Sequence, residues 1–68
     1  MMHFSERLMD VEVELMEGDA VSRGRIVTLF EGRNWTPMTV VRFFRGHQQG
    51  RAIPVPLEVL LFPEPPRE

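Results

Sequence analysis

A chain of 68 residues with no cysteine, no lysine, eight arginines and a formal net charge of −2 forms one domain at most. The absent cysteines exclude disulfides and thiolate metal sites. The absent lysines exclude Schiff-base chemistry, a phosphate-loop lysine and lysine-borne lipoyl or biotinyl groups.

In chain order, the first patterned stretch is MDVEVEL, residues 9–15. Met9, Val11, Val13 and Leu15 alternate with Asp10, Glu12 and Glu14, the period of a strand with one wet face. A helix competes for residues 5–16. Phe4, Leu8, Val11 and Leu15 also fall at helical spacing, and Ser5 suits an N-cap. That helix would turn Val13 to solvent. A short helical or irregular lead-in followed by a strand is the favoured reading. Gly18-Asp19 signals a turn. RGRIVTLFE, residues 23–31, reads as a strand with apolar groups on both faces, and Gly32-Arg33-Asn34 as the loop after it.

Thr36-Pro37 opens the next segment, and MTVVRFFR, residues 38–45, again carries apolar groups on both faces. Such a strand lies inside a sheet, with both faces covered by other segments or by a partner. Gly46 to Gly50 makes a turn, and RAIPV, residues 51–55, returns as an edge or short strand because Pro54 lacks a donor. LEVLLF, residues 57–62, fits either one or two helical turns with Leu57, Leu60 and Leu61 inward, or a last strand. The expectation is an α+β, mostly β, single small domain. It is a three- to four-stranded antiparallel meander with short helical segments at one or both ends. Residues 1–62 form the compact domain and residues 63–68 a mobile Pro-rich tail.

Charge is unevenly distributed. Residues 1–20 sum to −5, residues 21–53 to +5 and residues 54–68 to −2. Acidic and basic strands side by side would explain this, as would an acidic segment of one subunit meeting a basic segment of another, or a basic face for an anion. The start of the chain has no basic leader, and no apolar run approaches a membrane span, so a cytoplasmic protein with no membrane partner is expected. An arginine-only, Pro-rich chain with a single Asn fits a GC-rich, thermophilic source, although thermophile proteomes more often gain lysine.

MEGDAVSRGRIV, residues 16–27, resembles the turn that recurs in lipoyl and biotinyl carrier domains, an acidic-Gly-Asp turn leading to a second glycine and an apolar strand. Those domains attach their cofactor to a lysine, so only a β-rich turn is implied here, and no cofactor is expected. The same stretch is similar to the Gly-rich turns of small SH3-like barrels, including the KOW type of transcription and ribosomal proteins. That resemblance again implies a β-rich turn rather than a function.

Catalysis is not expected. Ser5 and Ser22 have no adjacent histidine and no nucleophile elbow, and Asp10, Glu12 and Glu14 form a like-charged row rather than an acid–base pair. No metal site is expected either, since His3 and His47 are distant and the acidic row lacks calcium-loop spacing. Two surfaces remain. Trp35, Met38, Val40, Phe43 and Phe44 are candidates for a protein interface, and Arg42, Arg45, His47 and Arg51 for contact with an anion or nucleic acid. Trp35 also has a purely structural role open to it, as a cap on one end of the core. The first function expected is a non-catalytic interaction module that self-associates as a homodimer or larger assembly. Five methionines supply adaptable apolar surface for it. The second, disfavoured by the overall acidity, is a small β-barrel-like nucleic-acid-binding protein using the arginine hairpin.

Overall fold

The computed structural model describes residues 8–63. Four strands, β1 (Glu12–Glu17), β2 (Ala20–Glu31), β3 (Pro37–Arg45) and β4 (Ala52–Pro56), form one antiparallel sheet in the order β1-β2-β3-β4. Among the described residues, helical structure amounts to a helical Leu8 at the very start and two 3-10 turns, Arg33–Trp35 between β2 and β3 and Leu57–Val59 after β4, so the described fold is mostly β. The expected lead-in at residues 5–7 and most of the Pro-rich tail lie outside the described residues.

Period-two alternation is realised in β1. Val13 is fully buried, which excludes the helical placement that exposes it. The strand starts at Glu12 rather than Met9 because Asp10 adopts a left-handed backbone, φ 65°, that interrupts the extended chain. Ahead of that break, the Asp10 N–H donates to the Ile26 carbonyl (2.8 Å).

One face of the sheet forms the core. Val13, Ile26, Val41, Phe43 and Val55 are buried on it, and Leu8 and Leu60 close over them. Cross-strand register explains the grouping. Ile26 faces Val41 and Val41 faces Ile53, while Leu29 faces Thr39 and Thr39 faces Val55. Thr39 is the polar member of this layer. Its hydroxyl donates to the Val55 carbonyl at 2.8 Å, so no buried side-chain polar atom there is left unpaired. Thr39→Val keeps the shape and removes the donor. It should lower stability by about 1–2 kcal/mol in a urea titration, because the Val55 carbonyl loses a partner it cannot replace with water. A change within about 0.3 kcal/mol would show the bond to be dispensable.

Segment 57–62 lies between the two readings offered for it. Leu57 at the start of the 3-10 turn and Leu60 just after it pack on the core, but Leu61 points outward instead of inward. Its backbone then pairs with β1: the Glu14 N–H donates to the Leu61 carbonyl (2.8 Å), and the Leu61 N–H to the Glu14 carbonyl (2.9 Å). The chain thus crosses the core face from β4 and attaches to the outer edge of β1. Among the described residues, the segment after β4 covers the core face of β3 and none covers its other face.

Two bulges bend the sheet. Between Arg23 and Gly24 the register leaves Phe44 unpaired on β3, and between Ile26 and Thr28 it leaves Val27 unpaired on β2. Gly24 permits the first. A Cβ there would lie 2.5 Å from the Arg42 carbonyl oxygen and 2.9 Å from the Phe43 Cα, so only glycine lets the two backbones approach this closely. The bulge also fixes the fate of two adjacent aromatics: Phe43 is 1% exposed and Phe44 39%.

The outer sheet face as a candidate binding surface

The open face divides into a charged end and an apolar end. At the charged end two cross-strand rows run from β1 to β3, Glu12–Arg25–Arg42 and Glu14–Arg23–Arg45. Acidic and basic strands therefore do lie side by side, as one reading of the charge pattern supposes. The ion pairing is unequal. Arg23 reaches both carboxylates, donating through Nε (3.1 Å) and Nη2 to Glu14 Oε2 and lying 3.4 Å from Glu12 Oε2. The bond to Glu14, reinforced by both negative charges, raises the Arg23 guanidinium above its ordinary value.

Arg25 faces Glu12 in register but does not pair with it. Its guanidinium sits over the ring of Phe44, 5.2 Å from the centroid. Arg42 and Arg45 extend from the same face and are exposed. Among the described residues, Arg23 makes the arginine–carboxylate pairs, and no carboxylate reaches Arg25, Arg42, Arg45 or Arg51. The acidic segment thus neutralises an arginine outside the hairpin.

The arginine hairpin is not a single cluster. Arg42 and Arg45 belong to β3, whereas His47 and Arg51 belong to the loop that folds back on the β1–β2 turn. Gln48 anchors that loop. Its N–H donates to the buried Ser22 hydroxyl (3.2 Å), its side-chain amide donates to the Glu17 carboxylate (3.2 and 3.3 Å), and Arg51 Nη1 donates to its carbonyl Oε1 at 3.4 Å. His47 is exposed at the tip. Arg25 replaces these two in the group that the fold assembles. Its alternation with Gly24 and Ile26 is visible in the sequence, but its neighbours depend on strand register.

At the apolar end the rows are Phe30–Met38–Pro56 and Thr28–Val40–Pro54. Phe30 is exposed, and Met38 and Val40 are half-buried. Trp35 stands beside this end at the β2–β3 turn and is 77% exposed. It does not cap the core. Asn34 and Trp35 both have left-handed backbone, φ 56° and 63°, in a turn tied by the Trp35 N–H to the Gly32 carbonyl (3.1 Å) and the Gly32 N–H to the Thr36 carbonyl (2.8 Å). Of the candidate interface residues, Trp35, Met38 and Val40 gather here and Phe44 lies at the charged end. Phe43 is withdrawn from any surface role, since it fills the core.

Among the described residues no three His, Cys, Asp or Glu side chains are grouped to hold a metal ion, and no helix is long and apolar enough to cross a membrane. The chain matches no protein-family model, no curated protein and no solved structure.

Proposed function

We propose that this chain is a non-catalytic interaction module that self-associates through the apolar end of its outer sheet face. The observation that carries the reading is Trp35, a large ring 77% exposed on a backbone with φ 63°. Left-handed backbone costs a bulky residue about 1–2 kcal/mol, and such strain concentrates at functional positions. Tryptophan is also the residue type that dominates interface energies. Phe30, Met38, Val40 and Pro56 extend the same surface in an area that the described residues leave open. A second copy offers the same patch, so a two-fold contact would cover it on both partners.

Size-exclusion chromatography with light scattering tests this. The expected result is a concentration-dependent dimer or larger assembly. Trp35→Gly is the informative variant, because glycine accepts φ 63° without strain while the ring is lost. Its melting temperature should stay level or rise, and its dissociation constant should weaken by about 30-fold, the loss of a hot-spot side chain. A strict monomer at millimolar concentration, or a Trp35→Gly variant that assembles like the parent, rules the reading out.

A further inference from the structure

We propose that the charged end of the outer face, Arg25, Arg42, Phe44 and Arg45, binds single-stranded nucleic acid. Arg25 and Arg42 are direct cross-strand partners. Opposed Cα atoms in such a ladder stand about 4.5–5.5 Å apart, and like charges placed there repel. The Arg23–Arg45 pair has the same problem, and the fold relieves it by giving Arg23 two glutamates. No described carboxylate relieves Arg25, Arg42 or Arg45, so an external anion would remove a repulsion that the described residues leave in place.

The aromatic component selects the kind of anion. Phe44 is brought to the surface by the Gly24 bulge and carries the Arg25 guanidinium over its ring. A phenyl ring beside a guanidinium plane suits a nucleobase, which stacks on either, while the neighbouring arginines take phosphates. From Arg42 to Arg45 the strand advances about 10 Å on an open sheet face, which suits a short extended strand rather than a duplex. The apolar end lies further along the same strands, with Met38 about 23 Å from Arg45, so the two surfaces are separable.

Fluorescence anisotropy with labelled oligo-uridine and oligo-thymidine of about eight nucleotides measures the binding. Between about 25 and 200 mM salt, three phosphate contacts should give a slope of log affinity against log salt near −2. Arg25→Gln, Arg42→Gln and Arg45→Gln should each flatten that slope by about 0.7. Phe44→Leu should weaken binding about tenfold at unchanged slope. Trp35→Gly should bind like the parent, which separates this site from self-association, and circular dichroism confirms that each variant is folded. The proposal is overturned by absence of saturable binding at low salt. It is equally overturned if heparin binds as well as the oligonucleotides and Phe44→Leu changes neither, since that describes a general polyanion contact. Equal losses from Arg33→Gln or Arg51→Gln would also defeat it, because both residues lie off this face.

Discussion

Phe43→Ala is expected to destabilise the chain by about 4–5 kcal/mol, a large share of its total stability. Phe43 is the largest fully buried side chain, and its direct cross-strand neighbour on β2 is Gly24. The ring therefore fills space that no neighbouring side chain on β2 occupies, and truncation leaves a cavity whose walls are backbone on that side. Backbone paired on both edges cannot collapse inward, so the cost should sit in the upper part of the usual 3–5 kcal/mol, roughly, for Phe→Ala. A domain this small has about 3–10 kcal/mol in total. Urea titration followed by circular dichroism measures the difference. A Phe43→Ala variant within about 1 kcal/mol of the parent would mean that the ring is not the centre of the core.

Gly46→Ala should cost about 2–4 kcal/mol, from two separable effects. The backbone has φ 94°, which an L side chain tolerates poorly. A Cβ would also collide with the Val21 carbonyl and stand 2.6 Å from the Ser22 Cα. Gly50 supplies the control. It has φ 86° but open space around its Cβ position, so Gly50→Ala carries only the backbone part, about 1 kcal/mol. The difference between the two variants measures how firmly the 46–50 loop is seated on β2. Hydrogen exchange gives an independent check, since the Gln48 amide that donates to Ser22 should lose protection in Gly46→Ala and retain it in Gly50→Ala. Equal effects from the two substitutions would show that the loop is not held by that contact.

The sequence made the strands legible because their signals are local. Val13 against Glu12 and Glu14, the turn at Gly18-Asp19 and the glycines around 46–50 each act within a few residues. The loop after β2 is more constrained than a simple turn. Asn34 and Trp35 take successive left-handed conformations, and no residue-type rule expects that of a tryptophan. The surface was less legible, for a different reason. Whether Arg23 or Arg25 takes the glutamates depends on side-chain reach across the β1–β2 register, and which arginines of β3 stand beside them depends on the two bulges between β2 and β3. Phe43 and Phe44 could be divided between faces by alternation alone, but which of them is the core residue follows from the contact with Gly24. The outward side chain of Leu61 is not legible, because a one-residue bridge to β1 leaves no periodicity to read.

That bridge bears on the order in which the molecule can complete itself during synthesis. The β2–β3 hairpin uses residues close in sequence and is available early, but the outer edge of β1 receives its hydrogen bonds from residue 61, near the end of the described chain. Until Leu61 emerges from the ribosome, Glu14 presents an unpaired N–H and carbonyl, and the buried cluster lacks Leu60. A nascent chain stalled before that point carries an open strand edge beside an uncovered apolar face. It would pair with another such chain more readily than the finished protein does.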